Sequence, residues 1–339
     1  MEYWKVGGYP IFQLSLQILS TLPFHSTFIS FVRNMQTNLP YKTSRGMSDY
    51  QLKMAFIMPT MILLILMNIF PLLWSLYLSF HRYKASMPAA PKFIGVRNYA
   101  RLFEDPEVWG YFQTTAYFVL LAVTVQFVVG FGLALLLNRD FRYKGFVTTL
   151  LLLPMMLSPV VVGLFWRFIL SSDNSGLLNF FLTLTPFLKS PIGWTTNPKV
   201  AMLAVVIVDT WMWSPFMMLI ALAGLSAVPK YLYEAADVDR ASAWFKFRWI
   251  TLPLVSPLLL IALLFRTMDA FKMFDIVYVL TREGGPGTAT ETVSMNLYKL
   301  AFRNYNTGKA CAMAYILLII IVALSNIYVK YLNSVKGEA

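Results

Sequence analysis

Six stretches of this chain are long and apolar enough to cross a lipid bilayer, a property that leaves few architectures open. A spanning helix needs about 20 predominantly apolar residues, and residues 55–80, 115–137, 145–166, 200–225, 250–271 and 310–329 each meet that requirement. The 339 residues are 58% hydrophobic and only 13% charged, with a mean hydropathy of +0.61. That is too oily for a water-soluble domain of this length. The expected fold is therefore all-α: a polytopic membrane helix bundle with six transmembrane helices.

Charge separates the spans from one another. The first, second, third and sixth carry no ionised residue, whereas the fourth holds Asp209 and the fifth holds Arg266 and Asp269. A charge at the centre of a spanning helix costs roughly 2.5 to 3.5 kcal/mol on insertion scales, so these side chains should face the bundle interior or a wet cavity. Asp209 and Trp213 stand four residues apart on one helix face and pair a carboxylate acceptor with a flat apolar ring. Such a pair suits a sugar, which presents hydroxyl edges and C–H faces. Arg266, Asp269, Lys272 and Asp275 recur every three residues with alternating sign, a spacing at which neighbours pair along a helix. Two readings stay open for Asp209, Trp213, Arg266 and Asp269. They line a solute path, or the charges only neutralise one another, with Asp209 as partner of Arg266 or Arg167.

The net charge is +12, but Lys and Arg are scattered over the connecting segments. That pattern points to anionic membrane lipid and away from nucleic acid. The single cysteine, Cys311, excludes an internal disulfide and sits in an apolar run as a buried thiol. His25 and His81 are remote from any cluster with metal-ligand spacing, so no metal or other cofactor is expected. Nor is ATP hydrolysis: Gly308-Lys309 is followed by Ala310, and Arg303 stands where a phosphate-binding loop has its first glycine. Gly284-Gly285-Pro286-Gly287 lacks both a lysine and an ensuing amphipathic helix and reads as a turn. With no nucleophile and base at motif spacing either, enzymatic chemistry is not expected.

Residues 1–46 fit three readings. Residues 9–32 are free of charge, yet Gln13, Gln17 and Ser20 or Thr21 recur at helical spacing before Pro23, as in an interfacial helix. A seventh span and a spurious extension ahead of Met47 are the alternatives. Residues 47–339 form the integral membrane domain.

Between the fourth and fifth spans lies EAADVDRASAWFKFRWITLPLVSP, residues 234–257, polar and helix-prone with few turn formers. A connection of that kind is a folded surface built to touch something. A short helix is expected over 231–239 after Pro229, with Ala235 and Ala236 small enough for another surface to approach the backbone. Pro253 and Pro257 should enter the first turns of the fifth span, where a missing amide donor is cheapest. The competing reading is an amphipathic loop on lipid head groups, because Trp244, Phe245, Phe247 and Trp249 stand beside Lys246 and Arg248.

This segment resembles the EAA loop of ABC importer permeases in Glu234-Ala235-Ala236, Arg240-Ala241 and Ile250-Thr251-Leu252-Pro253. It departs from that pattern at Arg240, where the family has glycine at a bend between two short helices. Further blocks extend the likeness to maltose-type, binding-protein-dependent sugar permeases over residues 50–335. They include 71–80, Asn98-Tyr99 with Asp105-Pro106, 153–166, and 275–281 followed by Gly284-Gly285-Pro286. The resemblance implies import of a sugar or sugar derivative, driven by ATP hydrolysis on a separate subunit. It implies a second related permease, two ATPase subunits and an extracytoplasmic solute-binding protein as partners. Glu234 would then be the charged anchor in an ATPase groove, with Ala235, Ala236, Asp239, Arg240 and Ala241 around it, and Arg266 and Asp269 would belong to the sugar pocket. Lys and Arg are nearly balanced between the two sides of the membrane, although Arg139, Arg142 and Lys144 crowd the loop 138–146. The resemblance places the termini and the 226–249 loop in the cytoplasm. A noncarbohydrate cargo such as glycerol phosphate is the alternative on the same architecture, and an ion-coupled transporter would show paired broken spans.

Overall fold

The computed structural model describes residues 48–337 apart from 88, 173–175 and 185–189. The readings made for residues 1–46, and the boundary drawn there, lie outside the described residues. Chain contacts divide the molecule into two units, Met1–Asn68 and Ile69–Ala339. In the first, helix α1 (Asp49–Leu64) starts on a capping box in which the Ser48 and Gln51 side chains each accept the other's backbone N–H. A π-turn, Ile65–Ile69, follows it.

The second unit begins with helix α2 (Phe70–Ser79) and a two-residue antiparallel pairing of β1 (His81–Arg82) with β2 (Lys92–Phe93). Next come α3 (Arg97–Phe103), the long α4 (Pro106–Leu137), α5 (Lys144–Met156), α6 (Pro159–Ile169) and α7 (Leu177–Thr183). Then follow α8 (Pro198–Ser226), α9 (Lys230–Val238), α10 (Ala243–Lys246) and, after a π-turn at Phe247–Thr251, α11 (Leu252–Phe271). The chain ends with α12 (Asp275–Leu280), α13 (Val293–Tyr298), a π-turn at Lys299–Arg303 and α14 (Thr307–Lys336). Among the described residues, five helices are long and apolar enough to cross a membrane, and six spans result when α5 and α6 are taken together.

The third span departs from expectation. It is two helices meeting at 97°, because Pro159 at the start of α6 forces Ser158 into an extended conformation (φ −64°, ψ 135°) and Leu157 is extended as well. The second span starts at Pro106, earlier than its apolar run, on an Asp105 cap. The fifth is continuous back to Ala243. Pro253 therefore lies beyond the start of the continuous span, at the second residue of α11, directly after the π-turn.

Lipid offers no hydrophobic drive for one helix to bind another, so close contact depends on small residues. Ala134 and Ala221 are fully buried in the core that joins α4 to α8. A Cβ added at Gly130 of α4 would stand 2.6 Å from Met217 Cβ and 2.7 Å from the Ser214 carbonyl of α8. The two backbones touch there, and α4 and α8 become the frame against which α11 packs.

Candidate functional site

Two constellations carry the residues singled out in the sequence. The first is the segment from α9 to the start of α11. Helix α9 ends in a Schellman turn: the amide of Ala241 donates to the Ala236 carbonyl (2.8 Å) and that of Arg240 to the Asp237 carbonyl (3.0 Å). Such a turn requires a left-handed residue, and Arg240 supplies it with φ +54°. The bend survives with arginine at the glycine position, at a cost of about 1 to 2 kcal/mol. Two side-chain contacts brace it. Lys246 of α10 bonds Asp237 at 2.6 Å, and the Tyr233 hydroxyl lies 2.8 Å from that of Thr251 in the π-turn. Leu232, Tyr233, Ile250 and Leu252 pack on the core that contains Leu225, Val228 and Val255.

Glu234, Ala235, Asp239 and Arg240 are exposed, Ala241 is half-buried, and Ala236 turns inward at 8% exposure. Of the two alanines, only Ala235 is on the open face, beside Tyr231 and an 83% exposed Val238. Glu234, Asp239 and Arg240 take part in no ion pair among the described residues. The pairing of Asp237 with Lys246 and of Tyr233 with Thr251 was missed in the sequence, where Lys246 and Thr251 were noted for other reasons.

The second constellation lies inside the membrane-spanning region. The Arg266 guanidinium donates to Asp209, to Gln126 Oε1 (2.6 Å) and to Asp269 Oδ2 (2.8 Å). Gln126 Nε2 in turn donates to Asp209 Oδ2 at 2.7 Å. Spans two, four and five are thereby joined through one cluster. Asp209 and Gln126 are 0% exposed and Arg266 1%, while the Asp269 side chain keeps 48%. The half-buried Trp213 carries the Arg266 cation 5.3 Å from its ring centre. So the two open readings divide: Asp209 is the partner of Arg266, not of Arg167, whereas Asp269 and Trp213 remain accessible. The three-residue ladder ends at Asp269, because α11 stops at Phe271 and Asp275 opens a new helix. Gln126 was missed, although a lone amide in the middle of an uncharged span is itself a signal.

The elbow of the third span opens an apolar groove of about 1030 Å³ against α4 and α8. Its described hydroxyl groups are those of Thr210 and Ser214, too few to satisfy a polyhydroxylated solute. Among the described residues no group of acidic, His or Cys side chains could hold a metal ion.

Residues 126–334 match the family described as binding-protein-dependent transport system inner membrane component. The trehalose/maltose transport system permease protein MalF of Thermococcus litoralis is 34% identical over 88% of this chain and 97% of its own. The sulfoquinovosyl glycerol transport system permease protein SmoG of Agrobacterium fabrum is 33% identical, covering 90% of this chain and 98% of its own. In fold, the chain is similar to a bacterial ABC transporter that imports the acidic polysaccharide alginate, with TM-score 0.73 and 21% identity over 84% of this chain and 95% of that one. This chain belongs to the inner-membrane permease components of binding-protein-dependent transport systems.

Proposed function

We propose that this subunit passes a sugar or sugar derivative into the cytoplasm as one half of a paired permease, with a second related permease opposite it. Two ATPase subunits supply the energy, and an extracytoplasmic binding protein delivers the solute. The termini and the 226–249 loop lie in the cytoplasm, facing the ATPases. The observation that carries this reading is the braced geometry of α9: an exposed helix with bare charges, tied to span five by a turn, an ion pair and a hydroxyl contact.

In this reading Glu234 is the charged anchor, Ala235 lets the ATPase surface approach, and Asp239, Arg240 and Ala241 shape the bend below it. Displacement of α9 passes through the π-turn into α11. The Arg266–Asp209–Gln126 cluster then obliges spans two and four to move with it, a rigid-body shift that alternates access to the solute path. Asp269 and Trp213 face that path, and the buried Asp209 and Arg266 hold them in place.

Glu234→Lys tests this in proteoliposomes with the complete importer and labelled trehalose or maltose. ATP-driven uptake should fall at least tenfold with insertion and thermal stability unchanged; full uptake by the variant removes the anchor role. Uptake driven by an ion gradient without the ATPases would refute the ABC mechanism itself.

A further inference from the structure

At the end of the bundle opposite the 226–249 loop, a pocket of about 390 Å³ lies between the end of α6, the approach to α8 and the end of α12. It is lined by Arg167, Arg282, Ser172, Thr195, Thr196 and Thr281, with no carboxylate among its described lining residues. Its chemistry is distinct from that of the apolar groove at the elbow of the third span. The half-buried Arg167 and the exposed Arg282 both line it, and like charges at one site repel unless something neutralises them.

Nothing described within the chain does so. Neither Arg167 nor Arg282 belongs to an ion pair among the described residues. Arg167 reaches only the Val279 carbonyl, at 3.5 Å. The adjacent acid, Glu283, is occupied by Arg303. Ser172 and Thr195 place their hydroxyls 3.2 Å apart, so one donates to the other and the pair keeps one hydroxyl proton for a ligand beside the two cations. Arg282 is also held with φ +51° and Glu283 with φ +68°, a conformation that costs of order 1 kcal/mol or more per residue and that surrounding contacts must sustain. Those contacts are present: the Thr281 hydroxyl donates to the Val277 carbonyl (2.8 Å) and accepts from the Thr290 hydroxyl (2.8 Å). The turn is thus fixed beneath an unpaired arginine.

We infer that Arg167 and Arg282, with the Ser172 and Thr195 hydroxyls, form a subsite for a single anionic group, a carboxylate, sulfonate or phosphate, on the face where solute enters. The inference rests on the importer reading for its sidedness and narrows the cargo to an acidic saccharide or its phosphorylated or sulfonated derivative. Guanidinium is the group best matched to planar and tetrahedral oxyanions, because its paired N–H donors meet two oxygens at once.

The test compares glucuronate with glucose, which differ at one carboxylate, for binding to the assembled importer in phosphatidylcholine nanodiscs without ATP. Glucuronate should bind at least tenfold more tightly, as a charge-assisted contact requires, and the difference should vanish in Arg167→Gln/Arg282→Gln with the thermal midpoint retained. Equal binding of the two sugars, or a preference that survives the double substitution, overturns the proposal. A parallel preparation containing phosphatidylglycerol separates the sources of the anion. Unchanged preference identifies the solute, whereas arginine-dependent competition by that lipid supports an anion site filled from the membrane. Should glucuronate fail to bind while the double variant loses affinity for the solute-binding protein, the pocket is a protein-docking feature and the inference falls. Because binding is read without ATP, its failure leaves the Glu234 coupling experiment untouched.

Discussion

The 226–251 segment and the Asp209–Arg266 cluster both fix span five, yet they treat charge in opposite ways. On the segment, Glu234, Asp239 and Arg240 stand exposed with no ion pair among the described residues, and the shape is held by backbone hydrogen bonds, one hydroxyl contact and one partly exposed ion pair. In the cluster, Arg266 is shared among Asp209, Gln126 and Asp269, and nearly all of it is out of contact with solvent. An exposed pair such as Asp237–Lys246 contributes about 0 to 1 kcal/mol, so it steers a helix without locking it. Breaking a buried pair leaves an uncompensated charge and costs about 3 to 5 kcal/mol. The charges of the segment are left at the surface, and the charges that join helices are consumed inside.

The largest expected effect follows from that difference. Arg266→Met strands Asp209 in the interior and should destabilise the purified subunit by about 3 to 5 kcal/mol, read as a lowered thermal midpoint in detergent. Adding Asp209→Asn should recover part of the loss. A single variant as stable as the parent would mean the cluster does not hold the spans. Next comes Gly130→Ala, whose methyl would lie 2.6 Å from Met217 Cβ. Forcing α4 from α8 should cost about 1 to 3 kcal/mol and weaken the frame without touching any charge; an unchanged midpoint would show that the two helices part easily. The smallest effect is favourable. Arg240→Gly relieves the left-handed strain by roughly 1 kcal/mol, and hydrogen exchange at the Ala241 amide should slow about fivefold. Faster exchange would mean that the arginine side chain itself supports the bend.

Much of this architecture was legible in the residues. The spans at 55–80 and 310–329 correspond to Tyr50–Ser79 and Thr307–Ser334, because hydrocarbon thickness acts on local composition alone. The helix expected after Pro229 is present as Lys230–Val238. The bend at Arg240 was implied only by the resemblance, and the structure keeps it with arginine in place of glycine. Other features were less legible. Apolar length alone gave one straight third span, although Pro154, Ser158 and Pro159 already encoded a break. The ladder from Arg266 to Asp275 was read too far because the helix end at Phe271 has no strong local signal. Gln126 went unnoticed, and it is the residue that joins span two to the charges.

The sequence by itself determined which of the described segments are long and apolar enough to span a membrane, where the polar 226–249 segment lies between them and which charges need shelter, since each depends on neighbouring residues and the solvent they meet. Only the tertiary structure decided which partners provide that shelter. Arg266 meets Asp209 across 57 residues and Gln126 across 140, and nothing local to any of the three specifies the meeting. It is set by small residues such as Gly130 that let α4 and α8 close to contact, bringing three half-satisfied polar groups within bonding distance where no water competes.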